Sequence, residues 1–203
     1  MPKQKVESTA APPAFDIVAL AASAGGLAAL GEVLGGLPPG FPAPVVIVQH
    51  LDPRHRSLMA EILGRRTGLS VKQADEGDEL APGWAYIAPP DHHLLVNRDG
   101  SLSLSQSELV HFVRPSADLL FESVAASYGD RAIAVVLTGG GSDGNMGVQA
   151  VKQRGGTVIA QDEGTADHFG MPGAAIATKC VDFVLALDEI APALITLVMG
   201  DRK

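Results

Sequence analysis

Three residues of this sequence could together carry out nucleophilic catalysis, namely Ser23, His50 and Asp143. A serine hydroxyl is a weak nucleophile near neutral pH and needs a base within hydrogen-bond reach. The imidazole of His50 can be that base, because the pKa of a free imidazole is about 6.5. The carboxylate of Asp143 can hold the other ring nitrogen and stabilise the imidazolium that forms. The elements around each residue decide whether the three can meet.

Ser23 lies between an apolar run at residues 15–20 and a stretch of helical spacing that begins at Leu27. Flanking alanines and glycines favour a tight strand-to-helix turn, which exposes the hydroxyl at the carboxyl edge of a sheet beside free backbone N–H groups. The pattern Ala21-x-Ser23-x-Gly25 nearly matches the G-x-S-x-G nucleophile elbow. The alternative interpretation is a turn in which Ser23 only caps the helix.

His50 and Asp143 also follow apolar runs that are typical of buried strands. His50 comes directly after residues 44–49, and Asp143 lies in the glycine-rich stretch 139–144 that follows residues 132–137. The carboxyl ends of parallel strands meet at one edge of a sheet, so the three side chains are expected at the same edge. Considered alone, His50 could merely end a strand, and Asp143 could be a helix cap or a turn residue.

The alternation of apolar strands with helical stretches predicts an α/β fold, a three-layer domain around a doubly wound, mostly parallel sheet. An antiparallel hairpin is predicted at residues 94–97 and 102–105, and short helices are predicted at 57–66 and 173–178. Ser116 is expected to cap a further helix. We expect one domain over residues 15–200, preceded by a polar, disordered tail at residues 1–14.

The composition excludes several classes of protein. The formal net charge is -8 and there is no cluster of Lys and Arg, which argues against nucleic acid or an anionic membrane as the main partner. No apolar run is long enough to span a membrane, and the start of the chain does not resemble a signal peptide. Cys180 is the only cysteine, so an internal disulfide is impossible. We interpret it as buried filler and expect a cytoplasmic protein.

Other polar motifs could bind a phosphate or a metal ion, but their residue patterns match such sites poorly. Gly25-Gly26 and the glycines at 139–141 could cradle a phosphate, but neither stretch gives G-x-G-x-x-G or a Walker A motif. His92-His93 could bind a metal, yet these residues lack the helical spacing of H-E-x-x-H. The same holds for a second group, which comprises Asp162, Glu163, Asp167 and His168. We therefore expect neither a metal nor a cofactor.

With these residues in view, the chain resembles the catalytic domain of the chemotaxis protein-glutamate methylesterases (CheB-type). The resemblance covers nearly the whole chain, and by it the family's Ser-His-Asp triad falls on Ser23, His50 and Asp143. It also implies that the backbone N–H groups of Gly140 and Ala24 face the oxyanion. The matching segments are Ala22-Ser23-Ala24-Gly25-Gly26, Val48-Gln49-His50-Leu51, Ala85-Tyr86-Ile87-Ala88-Pro89 with His93-Leu94, Arg114-Pro115-Ser116-Ala117-Asp118, Leu137-Thr138-Gly139-Gly140-Gly141-Ser142-Asp143-Gly144, Gln161-Asp162-Glu163 and Gly170-Met171-Pro172.

The resemblance implies a serine hydrolase that demethylates glutamate methyl esters on chemoreceptor helices and releases methanol, with deamidation of receptor glutamine as a second activity. Ala21, Ala24 and Gly140 stand where many members carry glycine, threonine and methionine, respectively. The segment before Arg114 reads His111-Phe112-Val113, whereas the family usually has a histidine directly before this arginine. The family's N-terminal phospho-receiver domain is expected to be absent. Two alternatives are a hydrolase of another ester or amide with the same triad, and a non-catalytic regulatory module of the same fold.

Overall fold

The structure, a computed structural model, describes residues 15–50 and 57–200. The disordered tail predicted at residues 1–14 lies outside the described residues. The elements in chain order are β1 (Ile17–Ala22), α1 (Gly26–Gly36), β2 (Val45–Gln49), α2 (Met59–Gly64), β3 (Ser70–Gln73), β4 (Trp84–Ile87), β5 (His93–Val96), β6 (Leu102–Ser105), α3 (Ala117–Tyr128), a 3₁₀ turn (Gly129–Arg131), β7 (Ala132–Val136), α4 (Asn145–Gln153), β8 (Thr157–Gln161), α5 (Gly170–Ala177), β9 (Phe183–Leu185) and α6 (Leu187–Met199).

Seven strands form one parallel sheet in the order β3-β4-β2-β1-β7-β8-β9. The central strand β1 is buried along its whole length, as its continuous apolar sequence predicts for a strand covered on both faces. The strand order reverses direction at β1, because β2 pairs with one side of it and β7 with the other. Ligands of doubly wound sheets bind beyond the carboxyl ends of the strands at such a switch point. The turns after β1 and β7 therefore lie where a site is expected.

Apolar side chains pack on both faces of the sheet and make three layers. Val18 and Leu20 of β1 point to one face, in a cluster with residues of α1 and α6. Ile17 and Ala19 point to the other face, in a cluster that includes Phe121 of α3. Alternate residues of a strand face opposite sides, so one short strand supplies both cores. The predicted three-layer α/β architecture is confirmed.

The predicted hairpin is confirmed, but it does not join the central sheet. Strands β5 and β6 form a separate antiparallel pair, in which Leu94 lies opposite Leu104 and Val96 opposite Leu102. Leu94, Val96 and Leu102 are buried in the same cluster as Phe121 of α3. The hairpin therefore covers α3, which begins beside the carboxyl edge of the sheet.

The structure also corrects two helix boundaries. Helix α5 begins at Gly170, three residues before the predicted start at 173, and Pro172 falls in its first turn. Proline is tolerated there because the first N–H groups of a helix have no partner within the helix. Helix α2 is shorter than the predicted 57–66. Among the described residues, none of the helices combines the length and apolar character needed to cross a bilayer.

Candidate active site

The turn after β1 places Ser23 at the carboxyl edge of the sheet. The backbone N–H of Ser23 donates to the carbonyl of Thr138 at 3.0 Å, which fixes the turn to the end of β7. The expected nucleophile elbow is modified, because Gly25 and not Ser23 has the left-handed backbone, with φ 78°. Ser23 is half-buried and carries no backbone strain of that kind, and helix α1 begins three residues later.

Close packing explains why two glycines follow Ser23. A Cβ on Gly25 would lie 2.8 Å from Asp167 Oδ2 and 3.2 Å from Thr138 Cγ2, and a Cβ on Gly26 would overlap Gln49 Oε1. A side chain at either position would therefore require the side chains of Asp167 or Gln49 to move. A carboxylate oxygen against Gly25 also disfavours an anion, which weakens the phosphate-cradle alternative for this turn.

His50 and Asp143 are in direct contact. Nε2 of His50 lies 2.8 Å from Oδ2 of Asp143, and their side chains are 15% and 4% exposed. An ionised carboxylate can only accept, so the hydrogen of this bond belongs to His50 Nε2. That tautomer leaves Nδ1 as the ring nitrogen able to accept a proton.

Asp143 is held by the first turn of α3. Its Oδ1 accepts hydrogen bonds from Ser116 Oγ at 2.8 Å and the Asp118 N–H at 3.2 Å, and its Oδ2 accepts from the Ala117 N–H at 2.6 Å. Burial acts to raise the pKa of Asp143, but the hydrogen bonds that its carboxylate accepts outweigh burial and leave that pKa below its ordinary value. Asp143 therefore stays ionised and faces His50 in a fixed orientation.

Ser23 is next to this pair, although the described residues contain no hydrogen bond between Ser23 Oγ and His50. The N–H of His50 donates to the carbonyl of Ala22 at 3.1 Å, so the base candidate and the serine turn extend from neighbouring strand ends. Catalytic hydrogen bonds are often long without substrate and tighten only in the complex. The structure thus brings all three predicted residues to one edge and joins two of them directly.

Gln49 is a residue of this site whose role sequence reasoning missed. Its Nε2 donates to the carbonyl of Ser23 at 2.7 Å and to the carbonyl of His50 at 3.0 Å. The residue is 4% exposed, and its Oε1 is buried with no hydrogen-bond partner. One buried amide therefore ties together the backbone of the nucleophile and base candidates. The available signal was a polar residue at the end of the otherwise apolar strand β2.

The loop after β7 presents an unused backbone donor. Gly139 is fixed on both sides, because its N–H donates to the His168 carbonyl at 2.9 Å and its carbonyl accepts from the Met171 N–H at 2.8 Å. Gly140 is exposed, and in the described part of the chain its N–H donates to no other group, as is also true of the exposed Ala24. Both predicted oxyanion donors are therefore free to bind a ligand oxygen.

Thr138 connects this loop to the serine turn. Its Oγ1 donates to the carbonyl of Ala24 at 3.0 Å and accepts from the His168 N–H at 2.9 Å. Its own N–H donates to Oε1 of the buried Gln161 at 2.8 Å. These hydrogen bonds make one rigid unit of the segments that carry the two free donors.

The metal alternatives find no support among the described residues. His93 is fully buried, accepts from the Ser116 N–H on Nδ1 at 3.1 Å and donates from Nε2 to the Glu108 carbonyl at 3.1 Å. Burial lowers the pKa of His93, so its ring is neutral and holds the backbone of Ser116 in place. The side chain of Ser116 donates to Asp143. The prediction that this side chain caps α3 is therefore wrong. Within residues 15–50 and 57–200, no group of three His, Cys, Asp or Glu side chains is arranged to hold a metal ion.

The interpretation of Cys180 as a buried residue is wrong, because the residue is half-exposed.

The fold is a doubly wound α/β domain that carries a serine, a histidine and an aspartate at the carboxyl edge of its sheet. The family model of the CheB methylesterases matches residues 18–194. A crystal structure of the Thermotoga maritima CheB methylesterase catalytic domain superposes with a TM-score of 0.87 at 41% identity, covering 91% of this chain and 99% of that one. The chain therefore belongs to the CheB methylesterase family.

Two curated relatives differ in length. A protein-glutamate methylesterase/protein-glutamine glutaminase of Moorella thermoacetica is 43% identical over 192 residues, which cover 93% of this chain and 45% of the relative. A putative protein of the same name from Leptospira interrogans is 40% identical over 183 residues, which cover 90% of this chain and 95% of the relative. The chain thus spans about half the length of the first relative and nearly all of the second.

Proposed function

We propose that this chain is a protein-glutamate methylesterase, which hydrolyses glutamate methyl esters of chemoreceptors to glutamate and methanol. The observation that carries the proposal is the hydrogen bond of 2.8 Å between His50 and Asp143 beside the turn of Ser23. The names of the relatives support the substrate, and they support deamidation of receptor glutamine as a second activity. We take residues 15–200 as the catalytic domain, with a cytoplasmic location.

In the proposed first half-reaction, Ser23 Oγ attacks the ester carbonyl carbon while His50 Nδ1 takes its proton. Asp143 stabilises the imidazolium through the bond to Nε2. The carbonyl oxygen becomes an oxyanion between the N–H groups of Gly140 and Ala24, which donate to no other described group. His50 then returns the proton to the methoxy oxygen, so methanol leaves and an acyl-serine forms.

The second half-reaction uses water as the nucleophile. His50 Nδ1 takes a proton from a water molecule as that water attacks the acyl carbon. The tetrahedral species then collapses to the glutamate side chain, and His50 returns the proton to the departing Ser23 Oγ. Methanol would be replaced by ammonia if a glutamine amide were bound. Neither half-reaction requires a metal or a cofactor, because side chains, backbone donors and water balance every step.

Two other functions were open from the sequence. A non-catalytic module of the same fold has no need of a buried, hydrogen-bonded aspartate aligned with a histidine beside an accessible serine, so the site favours an enzyme. A hydrolase of a different ester would use the same groups and differ only in the surface that receives the substrate.

The proposal is tested by labelling and product release on the same preparation. A fluorophosphonate probe should label Ser23, and methylated receptor fragments should release methanol. Labelling without methanol release would leave a serine hydrolase with another substrate, and the absence of both would refute the enzyme assignment.

A further inference from the structure

A strained turn lies close to the candidate site. Val110 and Val113 exchange backbone hydrogen bonds of 3.2 and 2.9 Å, so His111 and Phe112 form a two-residue turn between them. Both residues have left-handed backbones, with φ 48° and 65°. Such turns favour Asn and Gly at these positions, and a bulky residue there is a conformational outlier. The two side chains are therefore present at a cost to local stability.

Packing accounts for His111 but not for Phe112. His111 Nε2 lies 3.5 Å from Oδ2 of Asp118, a buried carboxylate oxygen with no hydrogen-bond partner. Phe112 is 95% exposed, so its ring gains almost nothing from the fold. An exposed aromatic residue in a strained backbone points to a function outside the folding of this chain.

The turn is held firmly at both of its ends. Before it, the carbonyl of Glu108 accepts from the buried His93 at 3.1 Å. After it, Arg114 pairs with Asp91 at 2.6 Å and donates to the carbonyls of Gln106 and Ser107 at 3.0 and 2.7 Å. A ring presented by a fixed turn loses little conformational freedom when a partner binds it.

Two contacts connect this turn to the catalytic candidates. His111 faces Asp118, and the N–H of Asp118 donates to Asp143 at 3.2 Å. Asp118 also accepts from the N–H of Gly147, which places the start of α4 beside the same carboxylate. Met146 is in that first turn of α4 and is 57% exposed. The turn that carries Phe112 and the first turn of α4 therefore both meet Asp118, which is itself joined to Asp143.

We propose that Phe112 contacts an apolar side chain of the receptor helix that carries the methyl ester. The inference rests on the proposed function and adds a residue that selects the protein substrate. A helix that carries a glutamyl ester extends past the reacting group, and its residues one turn away can reach the turn that carries Phe112. A free amino-acid ester has no such residues. Rigid aromatic residues are the usual anchors of protein recognition.

The test compares Phe112→Gly with wild type on two substrates, a methylated helical receptor fragment and p-nitrophenyl acetate. Glycine removes the ring and suits the left-handed backbone, so the melting temperature should equal or exceed that of wild type. We expect kcat/KM on the fragment to fall at least ~10-fold, about 1.4 kcal/mol, with no change on the small ester. Phe112→Trp should retain activity on the fragment.

Phe183→Ala is the matched control, since Phe183 is a half-exposed aromatic residue on the edge strand β9, and it should leave both rates unchanged. Equal loss on both substrates, no loss on the fragment, or a lower melting temperature of Phe112→Gly would overturn the inference. So would a wild-type dimer that Phe112→Gly converts to a monomer in sedimentation, because Phe112 would then serve self-association. A wild-type enzyme inactive on the fragment but labelled at Ser23 would refute the proposed substrate, and this inference with it.

Discussion

Asp143 binds the first turn of α3, and Asp118 of α3 binds in turn the first turn of α4, the helix that follows Asp143. Asp143, which precedes α4, accepts the N–H groups of Ala117 and Asp118 at the start of α3. Asp118, in α3, accepts the N–H of Gly147 at the start of α4, at 2.8 Å. Neither helix is capped by a side chain at its own N-cap residue. The two carboxylates therefore bind the free N–H groups that local caps would bind, and in doing so they connect α3 to α4.

This exchange fixes the orientation of Asp143 toward His50. Unpaired N–H groups and the helix dipole make the start of α3 a favourable place for a negative charge. Asp118 contributes by holding the loop that carries Asp143 against α3. The arrangement places two buried carboxylates near each other, and their pKa values shift in opposite directions.

The first prediction concerns Asp118→Asn. Burial, aided by the charge of Asp143, raises the pKa of Asp118. The native state therefore holds this proton more tightly than the unfolded state does. The resulting contribution to the free energy of unfolding is fully present below the pKa of Asp118 in the unfolded state, and it is lost as the pH rises through the pKa in the folded state. The uncharged amide of the variant would avoid this loss, while its oxygen could still accept from Gly147. The variant should therefore gain stability relative to wild type as the pH rises from about 4 to about 7.

Chemical denaturation at several pH values measures this difference, with the exposed Asp130→Asn as control. A difference that does not change with pH would show that the ionisation of Asp118 does not affect folding.

The second prediction concerns the nucleophile. Ser23→Ala should give a folded protein with no esterase activity, because alanine fits a turn already lined by alanine and glycine. Removal of the nucleophile of a serine protease lowers kcat by about 10⁶-fold. Methanol release from methylated receptor fragments measures the effect, and Ser142→Ala, at an exposed serine, is the control. If the Ser23 variant keeps more than a tenth of wild-type turnover, another group is the nucleophile.

The third prediction is a pH profile with a single acid limb. A histidine base must be neutral to take the serine proton, and imidazoles in general change charge between about pH 5 and 8, so kcat/KM should rise over that range if His50 is the base. Asp143 adds no limb in this range, because its pKa lies below the ordinary value. His50→Gln should remove the limb together with most of the rate. A flat profile over this range, in a protein that stays folded, would contradict the role of His50 as base.

The fourth prediction concerns Gln49, whose amide donates to the carbonyls of Ser23 and His50. Gln49→Met keeps the length of the side chain and removes both hydrogen bonds. Small misplacements of reacting groups are costly, so kcat should fall by about 10- to 100-fold while KM changes little. Gln49→Glu should be worse, since it turns a donor toward two carbonyls into an acceptor. Equal kcat in wild type and the methionine variant would show that Gln49 has no positioning role.

The sequence predicted the fold well where burial alone decides the structure. The strands at 17–22 and 132–136 are continuous apolar runs, and such runs have few alternatives in an α/β protein. The start of α5 was placed three residues too late, since Gly170 packs against the Gly139–Gly141 loop. That contact is tertiary and leaves no periodic pattern.

The sequence predicted the candidate catalytic residues, but it did not predict the residues that hold them in place by hydrogen bonds. Ser23, His50 and Asp143 each follow a strand, and the parallel sheet brings strand ends together. The support of Asp143 by Ser116 and the buried amide of Gln49 connect residues 27 and 26 positions apart, respectively. Single-sequence patterns report local periodicity, so partners at such separations are invisible until the chain folds.

The last prediction concerns the form of the substrate. Ser23 is half-buried, and Gly140 and Ala24 are exposed, so the proposed nucleophile and the proposed oxyanion donors can be reached from the surface. An open site gives a small ester few contacts beyond its reacting carbonyl. A receptor helix would supply remote contacts, and their binding energy can align the carbonyl with Ser23 and the N–H donors.

The measurement compares kcat/KM for free glutamate methyl ester with that for a methylated helical receptor fragment. We expect the fragment to be favoured by at least ~10²-fold, about 2.7 kcal/mol of transition-state binding. An unfolded peptide of the same sequence is the control, since it presents the same ester without the helical surface and should fall between the two. Equal efficiency on all three would refute the receptor assignment and favour a hydrolase of small esters, because the carbonyl would then be positioned without help from the rest of the substrate.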